Sequence, residues 1–198
     1  MTRPAAWTTL LLSAVLALWR LPSETAHAAD PEPFATYVGT DASVRVRFDY
    51  PAGWRLTEER GAIDAYVSVR LLGPRNAQDT YTAYIVVRSS PFQANGGLHP
   101  SAGALMDQFL ETAPPGAVVE SRVVTPVDGQ PADDLTLSYT IPPFFHKGLV
   151  PAATKVKTRL LALERPPYLY ELTYSADAQE YDAGAASFAR LLESLRFR

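Results

Sequence analysis

The sequence predicts an α+β fold, an α/β/α sandwich whose central, mainly antiparallel sheet is flanked by a mid-chain helix and a C-terminal helix. Three observations support this prediction. Segments in which apolar and polar residues alternate recur through most of the chain and are separated by turn-forming residues, as is typical of antiparallel strands. One mid-chain segment and the C-terminal segment instead show helical spacing. Each helix has one apolar stripe, and packing that stripe on the sheet is the simplest way to bury it.

Residues 1–28 have the features of a secretory signal peptide. Arg3 supplies a positive start, and the apolar segment Leu10 to Leu18 is far shorter than the ~20 residues that span a bilayer. An A-x-A cleavage motif ends at Ala28. We therefore expect export to the periplasm or the extracellular space without a transmembrane anchor, and one mature domain over residues 29–198.

Composition narrows the range of functions. The chain has 198 residues, of which 47% are hydrophobic, and this suits one globular domain with a single core. Its formal net charge of −3 argues against a dedicated nucleic-acid binder, because phosphate recognition usually shows as a basic excess. The chain contains no cysteine, which excludes disulfides, thiolate metal sites, a cysteine nucleophile and a lipid-modified cysteine.

The first half of the mature chain predicts an entry strand, a hairpin and a helix. The entry strand, Val44 to Phe48, alternates apolar and polar residues and ends in the turn sequence DYPAG. Tyr66 to Leu72 and Tyr81 to Arg88 flank the turn sequence GPRN and form an antiparallel hairpin. Ser101 is placed to cap the N-terminus of a helix that runs to about Thr112, where two prolines follow.

The second half predicts two further hairpins and the closing helix. Ala117 to Pro126 leads through a D-G turn into a strand with Leu135, Leu137 and Tyr139 on one face. Lys155 to Leu163 and Tyr168 to Tyr174 flank the sequence ERPP and form the next hairpin. The closing helix should bury its stripe on that last strand. The stripe consists of Tyr181, Ala185, Phe188, Leu192 and Leu195.

Three motifs follow one another along the chain: F-D-Y-P-A-G-W after the entry strand, D-G-Q-P-A at the central turn and F-A-R-L-L-E-S-L-R-F in the closing helix. With the order of the elements, they resemble the PsbP-like family, which includes the extrinsic PsbP protein of photosystem II and exported bacterial relatives. The resemblance covers about Phe34 to Arg198. It implies the same sandwich fold, and a binding or assembly factor rather than a catalyst. Some plant members have metal ligands, for which this chain has no matching cluster.

The motifs of the common catalytic and cofactor sites are missing from the sequence. It contains no G-x-S-x-G nucleophile turn, no P-loop and no G-x-G-x-x-G. His99 and His146 lie in separate predicted loops and belong to no H-x-x-x-H pair. We therefore expect no enzymatic activity, no cofactor and no metal.

The loop Pro142 to Val150 is the first of two candidate binding surfaces. Two prolines stiffen it, and Phe144, Phe145, His146 and Lys147 together make an apolar patch with a polar rim. Such a composition is expected at the centre of an interface with a protein or a lipid-like partner. The alternative is that the two phenylalanines pack against the edge of the sandwich.

A basic strip is the second candidate surface. Arg45 and Arg47 alternate along one strand, and Lys155, Lys157 and Arg159 alternate along another. If these strands were neighbours, their outward faces would combine into a positive surface for acidic proteins or anionic head groups. Ordinary solvated outer faces explain each strand equally well.

Together these features predict an exported, non-enzymatic binding or assembly module, with an unidentified envelope protein or protein complex as partner and contact with a membrane surface as a further option. Nucleic acid is not an expected partner. The alternative function is a binder of a small molecule or lipid-like ligand, or a cryptic enzyme, with a pocket built from dispersed aromatic residues such as Tyr66, Tyr84 and Tyr170. A deep pocket with convergent polar groups would favour this alternative, and a flat apolar loop surface would favour a protein partner.

Overall fold

A computed structural model describes residues 33–40, 44–61, 65–77, 79–142 and 153–198. Within these ranges the chain forms ten strands and two α-helices. The strands are β1 (Phe34–Val38), β2 (Val46–Pro51), β3 (Arg55–Arg60), β4 (Val67–Leu72), β5 (Ala83–Pro91), β6 (Val118–Val127), β7 (Gln130–Ile141), β8 (Thr154–Arg165), β9 (Tyr168–Asp177) and β10 (Arg196–Phe197), and the helices are α1 (Ala102–Glu111) and α2 (Tyr181–Ser194).

Seven of these strands form one antiparallel sheet in the order β3-β4-β5-β9-β8-β7-β6, and β1, β2 and β10 form a second, three-stranded sheet. Helix α1 packs on β7 and β8, whereas α2 packs on β9, β5 and β2. The two helices lie on opposite faces of the large sheet, which we call the α1 face and the α2 face. The predicted α/β/α sandwich is therefore confirmed.

Two local sequence signals act as predicted. Asp128 and Gly129 form the two-residue turn between β6 and β7, with φ angles of 47° and 74°. Positive φ at both residues is the type I′ geometry that favours Asp-Gly in hairpins. The Ser101 side-chain oxygen accepts a hydrogen bond from the Ala104 backbone N–H at 3.1 Å, which caps the start of α1.

The α2 face is closed and mainly apolar. Its centre is Tyr174 on β9, whose ring stacks on Phe188 of α2 with centroids 5.6 Å apart. The Tyr174 hydroxyl donates to the Tyr181 backbone carbonyl at 2.7 Å, so the buried phenol is satisfied. Of the predicted stripe, Tyr181, Phe188 and Leu195 are buried, and Ala185 and Leu192 are partly buried against the same core. Leu191, which the stripe did not include, is fully buried. The small sheet, including β2, packs on the same side and belongs to the same core.

The α1 face has a smaller core. Leu105 and Met106 of α1 are buried against leucines of β7 and β8, and Phe109 and Tyr139 lie half-buried at the margin. Strands β4, β5 and β9 extend beyond this helix, so their side chains on this face have no helix above them in the described part of the chain. This uncovered region contains the candidate site.

Three strands were not predicted. Strand β3 has the sequence RLTEER, whose charged residues mask the alternation expected of a strand, and β10 is only two residues long. Strand β1 pairs with β2 in the small sheet.

Among the described residues, the structure has no helix with the length and apolarity that a membrane crossing needs.

Candidate functional site

The uncovered half of the α1 face forms an open concavity of about 440 Å³. We call this surface the concave face. Its floor is made by β4, β5, β9 and the start of β8, and its wall on one side is the margin of the α1 core. The volume lies within the ~300–1,000 Å³ that is usual for sites of small molecules.

Strand pairing arranges the concave face in rows across the sheet. Because paired residues of antiparallel strands point to the same side, each row brings together side chains that are distant in sequence. The first row is Ser68, Arg88 and Glu171, the second is Arg70, Val86 and Thr173, and the third is Leu72, Tyr84, Ser175 and Thr158.

Buried hydroxyl groups form the floor. The Thr158 and Ser175 side-chain oxygens lie 2.7 Å apart, and the Thr173 hydroxyl donates to Glu171 Oε1 at 3.2 Å. Thr158, Thr173, Ser175 and Ser68 are all buried. A sheet face that only supported a core would be apolar here, because buried polar groups are stabilising only when they are hydrogen-bonded. The floor of the concave face is instead built from hydroxyl groups, which can both donate and accept hydrogen bonds.

The charges of the concave face are balanced. The Arg88 guanidinium lies 3.5 Å from a Glu171 carboxylate oxygen and stacks over the Tyr66 ring, 4.2 Å from its centroid. Arg70 pairs with Glu59 at 3.0 Å. Each cation therefore has a carboxylate beside it. A charged ligand would meet a like charge wherever it found an opposite one.

Arg88 retains one unused donor. Its Nε is buried and has no hydrogen-bond partner among the described residues. A small, partly open space of about 20 Å³, lined in part by Tyr66, His99 and Glu171, lies next to this side chain. Such a space is large enough for about one water molecule.

Aromatic side chains border the site. Tyr84 is 39% exposed, and Phe109 and Tyr139 stand half-buried at the α1 margin. Burial raises the pKa of the Tyr84 phenol above its ordinary value, and a hydrogen bond to Ser175 acts in the opposite direction. The phenol is therefore neutral at physiological pH, and it can both donate and accept.

The predicted basic strip is wrong. Arg47 lies on β2 and Arg45 directly precedes it, and β2 pairs with β1 and β10 in the small sheet. Lys155, Lys157 and Arg159 lie on β8, between β7 and β9 of the large sheet. The two sets are not on neighbouring strands, and strand order could not be read from the sequence.

Two members of the expected strip are engaged within the fold. Lys157 Nζ lies 2.7 Å from a Glu120 carboxylate oxygen, and Arg159 makes hydrogen bonds of 2.7 and 3.1 Å with Asp134. Asp134 is only 3% exposed. Removal of one partner from such a pair leaves an uncompensated charge, so this contact belongs to the folded core. Lys155 remains exposed.

The predicted loop surface lies outside the described residues, since residues 143–152 are not among them. Phe144, Phe145, His146 and Lys147 therefore stay a prediction. The signal peptide, residues 1–28, likewise lies outside the described residues and stays a prediction.

The three tyrosines named for the alternative function separate in the structure. Tyr84 borders the concave face, and Tyr66 contacts it through Arg88. Tyr170 lies on the α2 face, where it is buried against Phe197 with ring centroids 4.7 Å apart. The polar floor was missed, although β9 carried a signal for it: Glu171, Thr173 and Ser175 alternate with apolar residues. Among the residues that the structure describes, no three His, Asp or Glu side chains come together as a metal site.

Comparison with solved structures identifies the fold. The solution structure of cyanobacterial PsbP (CyanoP) from Synechocystis sp. PCC 6803 matches with a TM-score of 0.52, covering 89% of this chain and 99% of that chain at 17% sequence identity. The chain has the PsbP-like fold. This confirms the predicted resemblance at the level of the fold, which is all that a likeness at this identity shows. No family model matches the sequence, and a search of curated proteins finds no significant relative.

Two further matches are weaker. LpqN of Mycobacterium tuberculosis, involved in cell envelope biogenesis, has a TM-score of 0.49 at 16% identity and covers 82% of this chain and 89% of that chain. PA94 of Pseudomonas aeruginosa, a protein of unknown function described as a putative regulator, has a TM-score of 0.48 at 14% identity and covers 83% and 97%. Because both TM-scores are below 0.5, these two matches support no conclusion about the present protein.

Proposed function

We propose that this protein is an exported, non-catalytic module of PsbP-like fold that binds a small molecule on the concave face. The observation that supports this function is the polar floor of an uncovered sheet surface: Ser68, Thr158, Thr173 and Ser175 are buried hydroxyl residues where a supporting sheet would be apolar. Convergent polar groups in a concavity of this size are the usual signature of a small-molecule site.

The charge balance favours a neutral ligand. Glu171 would repel an anion, and Arg70 and Arg88 would repel a cation. A neutral molecule with several hydroxyl groups can accept from the guanidinium groups and donate to the carboxylate at the same time. The aromatic side chains of Tyr84 and Tyr139, which line the concavity, supply apolar surface for the body of a ring. The ligand is therefore a neutral, polyhydroxylated ring compound of the size of a mono- or disaccharide.

The same contacts favour binding over catalysis. Glu171 lies between Arg88 and Thr173, and its two carboxylate oxygens are each already engaged by one of these side chains. The Thr158 and Ser175 hydroxyls bond to each other rather than to a base that could activate them.

An NMR titration of the purified protein tests the proposed site. Neutral mono- and disaccharides form the panel, with glucuronate and glucosamine as the charged analogues. We expect a neutral sugar to shift the backbone amides of Thr173 and Ser175, and both charged analogues to bind at least about tenfold more weakly, the effect of about 1.4 kcal/mol. Equal binding of a charged analogue, or no shift of these two amides by any sugar, contradicts the proposal.

A matched pair of variants locates the contact. Tyr84→Ala removes an aromatic side chain that is 39% exposed, and Phe34→Ala removes one that is 41% exposed on the small sheet. We expect Tyr84→Ala to weaken sugar binding by about tenfold, because aromatic contacts contribute ~0.5–1.5 kcal/mol beyond their area. Phe34→Ala should leave the affinity unchanged. Equal losses in both variants would place the ligand elsewhere.

Contact of the loop 144–147 with an envelope protein remains a second proposal. The composition of Phe144, Phe145, His146 and Lys147 supports it, as described above. The concave face neither requires nor excludes such a contact, because a module can bind a small molecule and a protein at different surfaces.

A further inference from the structure

The two edges of the seven-stranded sheet differ in how they are protected. Edge strands usually carry charges, prolines or bulges that prevent pairing with another chain. At one edge, β3 follows this rule, because four of the six residues in RLTEER are charged. The other edge, β6, instead carries four valines that are each at least 50% exposed. These are Val118, Val119, Val123 and Val124.

The protective devices of β6 lie only at its two ends. A bulge between Val119 and Ser121 interrupts the regular pairing at one end. Pro126, which has no backbone N–H, blocks the other end. Between them, Ser121 to Thr125 forms a regular, open segment with Val123 53% and Val124 70% exposed.

The backbone groups that this segment points outward follow from the hairpin turn. A two-residue turn makes the flanking pair, Val127 and Gln130, the first hydrogen-bonded pair between β6 and β7. Bonded and non-bonded pairs then alternate along an antiparallel ladder, so Val123 bonds to β7. The N–H and C=O groups of Arg122 and Val124 therefore point away from the sheet.

We propose that β6 pairs antiparallel with β6 of a second copy of this chain, across a twofold axis at Val123. Three registers bring the outward-facing residues together. Arg122 opposite Arg122 places two guanidinium groups face to face, which is unfavourable. Val124 opposite Val124 places Pro126 opposite Arg122, where the missing N–H removes a hydrogen bond on each side. Arg122 opposite Val124 avoids both faults and completes four backbone hydrogen bonds.

The side chains fit this register. Val123 faces its symmetry mate at a non-hydrogen-bonded position, where cross-strand Cβ atoms lie about 4.5–5.5 Å apart. The Arg122 charge is already compensated within its own chain, by Asp133 at 2.8 Å and Asp107 at 3.4 Å, so its aliphatic part can lie over Val124 of the second copy.

One short edge buries much less than the ~1,200 Å² typical of a stable interface, so the dimer is weak and forms at high protein concentration. The inference is independent of the ligand proposal, since the concave face lies on other strands.

Cysteine cross-linking tests the register, because the chain has no cysteine of its own. Three single variants of the purified protein, Arg122→Cys, Val123→Cys and Val124→Cys, are oxidised with diamide and followed on non-reducing gels. We expect Val123→Cys to form a disulfide-linked dimer at least about tenfold faster than the other two, since only residue 123 meets its own copy at a distance that a disulfide can bridge. Fastest cross-linking at 122 or 124 would establish a different register, and equal slow rates at all three positions would overturn the proposal.

Sedimentation equilibrium of the protein without added cysteine provides a second measurement. We expect a monomer–dimer equilibrium that Val123→Lys abolishes, because two lysines would face each other at the axis. Val118→Lys is the matched control: it replaces a valine of similar exposure outside the open segment and should leave the equilibrium unchanged. A monomer at every concentration up to the millimolar range, or dimerisation that Val123→Lys leaves intact, contradicts the proposal.

Discussion

The two faces of the large sheet are built from the same strands and do different things. On β9, Leu172 and Tyr174 point into a closed core on the α2 face, while Thr173 and Ser175 point into the concave face. Each strand therefore stabilises the fold with one set of alternate residues and has the other set free for recognition. A site of this kind can change its chemistry at every second residue without loss of the core.

The two faces of the large sheet differ because helices and the small sheet cover them to different extents. Strands lie about 4.8 Å apart and a helix is about 10 Å wide, so one helix covers about two strands. Helix α1 has ten residues and packs mainly on β7 and β8. The α2 face is covered by the fourteen residues of α2 together with the small sheet. The concave face exists because nothing comparable to the small sheet lies on the α1 side within the described residues.

Introduction of a charge on the covered face should have the largest effect. Phe188 is 1% exposed and stacks on Tyr174. Phe188→Asp removes contacts worth about 3–5 kcal/mol and buries a carboxylate, and the sum approaches the ~5–15 kcal/mol stability of a typical domain. We expect loss of the folded state, measured as loss of cooperative thermal unfolding in circular dichroism.

The variant Phe188→Leu separates packing from charge. Leucine keeps the position apolar, so we expect this variant to fold with a reduced melting temperature. If Phe188→Asp instead melted like the unmodified protein, the α2 face would not be the main core of the domain.

The same substitution at adjacent residues of β5 compares the two faces directly. Val87 is fully buried on the α2 face, and Val86 is half-buried on the concave face. Val→Thr replaces a methyl group with a hydroxyl that needs a hydrogen-bond partner. We expect Val87→Thr to lower the free energy of unfolding by about 1–3 kcal/mol, and Val86→Thr to change it by less than about 0.5 kcal/mol.

Equilibrium unfolding in urea measures both variants, because its midpoint and slope separate stability from changes in the unfolded state. Equal losses for Val86→Thr and Val87→Thr would mean that the concave face is as closed as the α2 face.

Most of the fold could be predicted from the sequence because its signals are local. The Asp128-Gly129 turn, the Ser101 cap and the spacing of the closing helix each depend on residues near one another in the chain. Strand order and the position of α1 depend on contacts between distant residues. The basic strip was wrong for this reason, since it required β2 and β8 to be neighbours.

The candidate site could be predicted only in part for the same reason. Tyr84 was named as a pocket residue from its type alone, and Tyr170 was named with it although it lies on the opposite face. The polar rows of the concave face join β4, β5, β9 and β8, and pairing between these strands is long-range. Alternation along β9 identified which residues share a face. It could not identify which face α1 leaves uncovered.

The smallest expected change in stability comes from Gly→Ala substitutions in the two helices, which compare how tightly each helix packs on the sheet. Gly184 of α2 lies against the covered face, where an added Cβ would overlap the Tyr174 hydroxyl, itself bonded to the Tyr181 carbonyl. Gly103 of α1 has only the Ser101 hydroxyl near such a Cβ, at 3.9 Å. Gly→Ala in a helix contributes up to about 1 kcal/mol where there is room, whereas overpacking costs about 1–3 kcal/mol.

We therefore expect Gly→Ala to change the free energy of unfolding in opposite directions in the two helices. Gly103→Ala should raise the free energy of unfolding by up to about 1 kcal/mol, and Gly184→Ala should lower it by up to about 2 kcal/mol after the helical gain is subtracted from the overpacking. Urea unfolding of the two variants under identical conditions measures the difference. A stabilising Gly184→Ala would mean that Tyr174 can move away from α2. The close contact between the closing helix and the sheet would then be adaptable, and the difference between the two faces would be one of polarity rather than of packing.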